Sequence, residues 1–267
     1  MKRILQINFM NYPFPKKTII IPILLLIPMW IIFLFQINGY ETEGCYGVIP
    51  RTFVGLKGIL FSPLFHSGWK HILSNTFPLA FLSFLALLLY DRLAYYVIFF
   101  GWIISGILLW IIGNPPFLDD HVSCHIGAST IVYLLASFIF FSGVIRKERG
   151  LMAVSLIIIV LYGGMIWGMV PQEILPQLKS EVGNNSISWE GHLSGFITGA
   201  FFAYLFRKIG PQKDTPKWDQ ENYYDPREEQ LWNTYLEQER QKSEYLDSLT
   251  DEELNYLDNE LKNSSKS

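Results

Sequence analysis

The chain has 267 residues, of which half are hydrophobic and 16% aromatic, with a formal net charge of −3. Only 17% are charged, against about 25% in a typical soluble protein. This balance points to a membrane protein. The absence of a long basic run argues against a nucleic-acid partner, and two cysteines cannot build a disulfide framework or an all-cysteine zinc site. No cofactor or metal is expected.

The average hides two regions. Residues 1–210 carry 14 Lys+Arg and 9 Asp+Glu, whereas residues 211–267 carry 7 and 15. The expected organisation is a cytoplasmic N-terminal segment (1–17), a membrane domain (18–210) and an acidic, partly helical cytoplasmic tail (211–267).

A bilayer core needs about 20 apolar residues in a helix. Six segments approach that requirement: 18–37, 71–90, 94–113, 127–145, 150–170 and 189–206. The last is the weakest, because Glu190, His192 and several small or hydroxylic residues dilute it. The first is too long, and lacks the small-residue cleavage site, for a removable signal peptide. Lys and Arg concentrate in one set of connections: Lys2, Arg3, Lys16, Lys17, Arg92, Arg146, Lys147, Arg149, Arg207 and Lys208. The other set holds only Arg51, Lys57, Lys70 and Lys179. The positive-inside rule then places both termini in the cytoplasm, in a multi-pass protein of the plasma (inner) membrane.

The first outer loop, 38–70, is far from hydrophilic. Its stretch VGLKGILFSPLFHSGW predicts short helices in the bilayer interface. The outer loop 171–188 carries two prolines and a Gly-Asn-Asn cluster, which predict a mobile connection. In the tail, residues 227–245 predict a helix with Leu231 and Tyr235 on a charged background. Thr250 and Glu253 form a capping box ahead of Leu254, Leu257 and Leu261. This is too little apolar surface for an independent core. A helical hairpin or a partner-binding tail fits better, with no partner revealed.

Strongly polar residues inside membrane helices are costly and mark function. His71 and Asn75 open the second segment, Ser129 the fourth and His192 the sixth. All three segments run inward from the outer side, so these residues share one layer. A serine hydroxyl needs a base, usually His, within reach. The oxyanion of acyl transfer needs donors, which Asn or His side chains and the amides of a helix N-terminus can provide. Glu190 lies two residues from His192 and points elsewhere on a helix, so a Ser–His dyad is the simpler reading. Gly191, Gly195 and Gly199 form a ridge that lets a neighbouring helix approach, and Gly127 and Ala128 offer a bare surface beside Ser129. Tyr133, four residues after Ser129, lies on the same face, where its ring could pack on His192.

These residues, in this order, resemble the rhomboid family of intramembrane serine proteases over roughly residues 48–206. FSPLFHSGWKHILSN carries the H-x-x-x-N at His71 and Asn75. GAS at 127–129 resembles the G-x-S nucleophile motif, and GHLSGFITG the helix that supplies the base. The resemblance implies Ser129 as nucleophile and His192 as general base. His71, Asn75 and the Ser129 N–H would form the oxyanion site, with Gly127 and Tyr133 beside it and His66 in a structural role. It also implies transmembrane protein substrates, entering from the bilayer, with a small residue at the cleavage point. One departure is Thr130, where the family commonly has glycine. It supports an alternative reading: an inactive rhomboid-like protein that binds transmembrane helices.

Three features stay open. Cys45 and Cys124 could pair or remain free thiols. Asp119, Asp120, His121 and His125 look superficially like metal ligands but read better as a polar loop at the mouth of the site. The Asn184-Asn185-Ser186 sequon matters only where proteins are glycosylated.

Overall fold

The computed structural model describes residues 15–39, 44–115, 123–171, 188–213, 225–250 and 253. Its regular structure among these residues is all helical, apart from an isolated antiparallel bridge between Val48 and His125. The helices are α1 (Lys16–Ile37), α2 (Trp69–Tyr90), α3 (Arg92–Ile112), α4 (Ser129–Arg146), α5 (Arg149–Tyr162), α6 (Trp189–Leu205) and α7 (Pro226–Ser248). Short helical turns cover Val54–Leu64 within the first loop, and a 3₁₀ stretch, Gly163–Met169, prolongs α5. The chain divides into two compact units, Met1–Lys213 and Asp214–Ser267.

Among the described residues, five helices are long and apolar enough to cross a membrane: α1, α2, α3, α4 and the stretch Arg149–Met169 that begins with α5. The chain is therefore a multi-pass integral membrane protein. The sixth predicted segment forms α6, a 17-residue helix diluted by polar and small residues. Its glycines put it against α4 in the most extensive helix–helix packing of the molecule. A methyl group added at Gly195 would lie 2.1 Å from the Thr130 carbonyl oxygen. One added at Gly199 would lie 2.0 Å from Ser137 Oγ. The two backbones thus nearly touch, as small-residue ridges allow.

The ends of the helices follow from local chemistry. Glu148 caps α5 by accepting from the Gly150 and Leu151 amides at 2.9 and 2.7 Å. Asp91 turns the chain between α2 and α3 with a φ of 48° and pairs with Lys17 at the start of α1. That ion pair holds the Asp91 carboxyl below the usual carboxylate range.

Two arginines that the charge count treats only as loop charges close helix C-termini, where cations meet unpaired carbonyls and the negative end of the dipole. Arg51 donates to the Asn114 carbonyl at 2.6 Å and also to that of Gly113, beyond the last turn of α3. Arg146 is buried and donates to the carbonyls of Phe206, Ile209 and Pro211 at 2.8, 2.6 and 3.0 Å, beyond α6.

The first loop forms helical turns as its apolar content predicts, and its Phe53, Val54 and Leu60 are exposed. Two indoles anchor it to α3: Trp102 donates to the Ile59 carbonyl at 3.0 Å and Trp110 to that of Thr52 at 2.9 Å. Cys45 and Cys124 form a disulfide, with Cα atoms 6.0 Å apart. It joins this loop to the segment leading into α4 and settles the question that the sequence leaves open.

In the second unit, α7 starts at Asp225, whose carboxylate accepts from the Arg227 amide at 3.0 Å. Glu253 accepts from both the amide and the hydroxyl of Thr250, at 2.9 and 2.8 Å, as the capping box predicts. Leu254, Leu257, Leu261 and most of the loop 171–188 lie outside the described residues.

Candidate active site

Ser129 is the first residue of α4, and its position is fixed by the three residues before it. Gly127 has a φ of +109°, which only glycine adopts without strain. Its amide donates to the Ser62 carbonyl at 2.8 Å, and the Ala128 amide donates to His66 Nε2 at 3.4 Å. The approach to the serine is thus pinned to the first loop at two consecutive amides. Because Ser129 opens a helix, the Ser129 and Thr130 amides have no acceptor within it and carry the positive end of the dipole, whereas the Ile131 and Val132 amides donate to the Ala128 carbonyl at 3.0 and 3.1 Å.

The same glycine faces His71 and Asn75. A methyl at Gly127 would lie 2.6 Å from His71 Nε2 and 3.6 Å from Asn75 Nδ2. The Ser67 amide and hydroxyl both approach His71 Nδ1, at 3.4 and 3.1 Å. An amide can only donate, so Nδ1 accepts and the proton of the neutral ring sits on Nε2. That nitrogen lies beside Gly127, two residues before the serine. Asn75 donates one amide proton to the His71 carbonyl at 3.2 Å, leaving its second donor available.

His192 is buried in the first turn of α6. Its ring stacks on Tyr133 with centroids 4.1 Å apart and planes 11° apart. Tyr133 lies one turn beyond Ser129 on α4, so the stack places the imidazole on the face of α4 below the serine. His192 Nδ1 meets the Gly168 carbonyl at 2.8 Å. A carbonyl can only accept, so Nδ1 carries the proton and Nε2 keeps its lone pair. The Tyr133 hydroxyl donates to the Met165 carbonyl at 2.6 Å. Both bonds come from the 3₁₀ stretch after α5, whose contribution the hydropathy pattern does not disclose. Gly168 is part of the reason: a methyl there would lie 2.3 Å from the Tyr133 oxygen and 3.0 Å from His192 Nδ1.

His66, whose ring meets His71 edge-on at 4.9 Å, is buried and accepts the Ala128 amide. Burial, reinforced by the nearby His71, lowers its pKa to about 4. Thr130 rests against α6, its hydroxyl 3.0 Å from where a methyl at Gly191 would sit. Of the four residues that look like metal ligands, Asp119, Asp120 and His121 lie outside the described residues. His125 is described, and it does not belong to an open polar loop. It is buried, its pKa is lowered to about 4 by desolvation, and both ring nitrogens are engaged. Among the described residues no three His, Cys, Asp or Glu come together as metal ligands.

Ser129 lines a small cleft of about 10 Å³ together with Ser62, His125, Gly127, Thr130 and Ser188. A larger opening of about 430 Å³ lies between α1 and the entry to α2, lined by Phe33, Gln36, Tyr46, Phe65, His66 and the disulfide among others. Neither Ser129 nor His192 borders it. Its size therefore has no bearing on the candidate site.

The sequence is similar to known proteins over the same region. A sequence model of the Rhomboid domain matches residues 55–209. An uncharacterized protein of Mycobacterium tuberculosis is 33% identical over 174 residues, covering 64% of this chain and 67% of its own. An uncharacterized protein of Mycobacterium leprae is 32% identical over 160 residues, or 60% of this chain and 59% of its own. A protein of Acanthamoeba polyphaga mimivirus that bears the rhomboid name is 28% identical over 184 residues, covering 68% and 88%.

Proposed function

We propose, from the premise that the chain belongs to the rhomboid family, that it is an intramembrane serine endopeptidase acting on the transmembrane segments of other membrane proteins. The observation that carries the reading is the state of His192. Its Nδ1 is committed to the Gly168 carbonyl and its ring is held by Tyr133, one turn below Ser129. The lone pair left on Nε2 is what a general base requires.

In this mechanism His192 Nε2 takes the proton of the Ser129 hydroxyl as Oγ attacks the scissile carbonyl. The charge that develops on the carbonyl oxygen meets the Nε2–H of His71, the free amide proton of Asn75 and the N–H groups at the start of α4. His192 then gives its proton to the leaving amine, and water reverses the acylation by the same route. No cofactor is needed.

The topology follows the same reading. α6 serves as a sixth span although it is short, because it packs against α3 and α4 and turns the apolar side chains of Ile197, Phe201 and Leu205 outward. The membrane domain covers 18–210, with both termini cytoplasmic, in the plasma membrane. The disulfide and the reactive layer then share the outer side, where oxidation is permitted. Residues 211–267 form a soluble appendage.

Labelling with a serine-directed fluorophosphonate, read by mass spectrometry at Ser129, tests the proposal. The wild type should label and should cleave a model transmembrane substrate. Ser129→Ala and His192→Ala should each lower cleavage by at least about 10³-fold, with the double variant no worse, because the pair acts as a unit. A folded protein that neither labels nor cleaves would instead support the inactive, helix-binding reading that Thr130 suggests.

A further inference from the structure

The part of the molecule that the mechanism leaves unused is the buried side-chain cluster around His125. His125 lies four residues before Ser129, and its backbone is fixed on both sides. It pairs with Val48 through two bonds of 2.9 Å, and the preceding Cys124 is tied to Cys45. His125 is only 5% exposed, yet it holds no place in the acyl-transfer chemistry.

Its partners come from two other elements. His125 Nε2 lies 2.9 Å from Asn114 Oδ1, at the end of α3. The amide oxygen only accepts, so Nε2 donates. His125 Nδ1 lies 2.7 Å from Ser188 Oγ. With the ring neutral, Nδ1 accepts and the Ser188 hydroxyl donates. Ser188 is the N-cap of α6, and its oxygen accepts from the Gly191 amide at 3.2 Å. Gly191 immediately precedes His192. Asn114 completes the ring of contacts, since its own amide donates to Glu190 Oε1 at 3.3 Å, also in the first turn of α6.

We propose that His125 is a positioning residue for the general base, fastening the lead-in to Ser129 to the capped first turn of α6 through Ser188 and Asn114. The inference rests on the proteolytic reading above. Its physical content is register. Ser129 and His192 sit on different helices, and each is the product of a helix start. A neutral imidazole with one donor and one acceptor spans the two starts at fixed lengths. The cap bond to Gly191 and the bond to His125 share the Ser188 oxygen, so releasing one loosens the other. The cleft bordered by Ser129, His125 and Ser188 lies at this junction.

The test uses the full chain in detergent, a model transmembrane substrate, and variants His125→Ala, His125→Gln, Ser188→Ala and the pair His125→Ala with Ser188→Ala. Loss of alignment at a reacting pair lowers turnover by about 10–100-fold without weakening substrate binding. His125→Ala and Ser188→Ala should each lower kcat by that amount with KM within twofold. The double variant should be no worse than the poorer single one, since both remove one linkage. His125→Gln, whose amide can still donate toward Asn114, should recover part of kcat. Amide exchange over residues 189–195 should accelerate in His125→Ala and Ser188→Ala, which reports the anchoring without any turnover.

A folded His125→Ala with wild-type kcat, a loss confined to KM, additive losses in the pair, or unchanged exchange at 189–195 would each overturn the proposal. If His125→Ala does not fold, His125→Gln and Ser188→Ala decide it by the same readings. Absence of labelling and cleavage in the wild type would remove the reaction and with it the catalytic half of the proposal. Unchanged exchange beside normal cleavage would remove the positioning role alone.

Discussion

α4 and α5 follow one another in the chain, yet 67% of the most apolar 18 residues of α4 are buried, against 17% in the stretch Arg149–Met169 that begins with α5. The order of apolarity is the reverse: α4 is the least apolar of the five long helices. In a soluble protein the greasiest helix goes inside. In a membrane, lipid is as apolar as leucine, so apolar side chains gain little by leaving it. What must leave it are small and polar groups: Ser137 and Ser142 on α4, and Ser194 and Thr198 on α6, are all buried. The candidate site follows the same logic. Ser129 and His192 stand on the two helices whose composition drives them to the centre, while α5 contributes only backbone carbonyls from its end.

The largest break in this contrast should come from identical glycine substitutions in the two places. At Gly195 an added methyl meets the Thr130 carbonyl at 2.1 Å, and backbone cannot rotate aside. Gly195→Ala should therefore destabilise the protein by about 1–3 kcal/mol. At Gly164 nothing lies within 4 Å of the same methyl. Gly164→Ala should be neutral, or stabilising by up to about 1 kcal/mol through the unfolded chain. Thermal unfolding in one detergent measures both. Equal effects would mean that α4 and α6 are not in backbone contact.

Gly168→Ala sharpens the contrast, because it lies at the end of the loosely packed helix yet touches the centre. The methyl would press on the Tyr133 hydroxyl and on His192 Nδ1. The expected result is a melting temperature close to wild type with kcat lowered about tenfold or more, since a displaced carbonyl frees the imidazole to turn. A variant that melts early and keeps its turnover would show that the carbonyl holds structure and not the base.

Much of this was legible in the sequence, for reasons that explain what was not. The starts and ends of α1 to α4 fall within two residues of the expected segments, because a run of apolar residues bounded by charge has few alternatives in a bilayer. The candidate residues Ser129, His192, His71, Asn75 and Gly127 stand out in the sequence because polar groups and glycine are conspicuous against an apolar background. Tyr133 was legible through the four-residue helical repeat. The roles of Arg51, Arg146 and Gly168 were hidden, since each depends on a carbonyl contributed by a distant segment, and carbonyls carry no side-chain signature. His125 was visible but misjudged. Its neighbours Asp119, Asp120 and His121 make the stretch look like a solvated loop, and only the pairing with Val48 and the Cys45–Cys124 bond shows that it turns inward.

The titration of the buried histidines gives an effect distributed over two sites. His66 and His125 both have pKa values lowered to about 4, whereas an unfolded histidine titrates near 6.5. Between these values the unfolded chain binds more protons, so stability rises with pH. The stabilisation is complete above about pH 6.5 and is lost as pH falls toward 4. From pH 7 to pH 5 each histidine should cost about 2 kcal/mol of stability. The melting temperature in detergent should fall over that range, and His125→Gln should flatten part of the slope. A melting temperature independent of pH from 7 to 5 would mean that these rings are reached by water.

The smallest effect belongs to the outward face of α5, and it separates a membrane account from an aqueous one. Leu156 is 64% exposed there, whereas Leu134 on α4 is fully buried. In water, a leucine on a surface and one in a core differ because one loses contact with solvent on folding. In a bilayer, Leu156 meets acyl chains whether α5 is docked or apart, so truncating it removes the same contacts from both states. Leu156→Ala should change stability by less than about 0.5 kcal/mol. Leu134→Ala removes packing that exists only in the assembled bundle, and the cavity left between α4, α3 and α6 should cost about 2 kcal/mol or more. Reversible unfolding in mixed micelles compares the two directly. A loss at Leu156 as large as that at Leu134 would show that the exposed face of α5 is covered by another polypeptide and not by lipid.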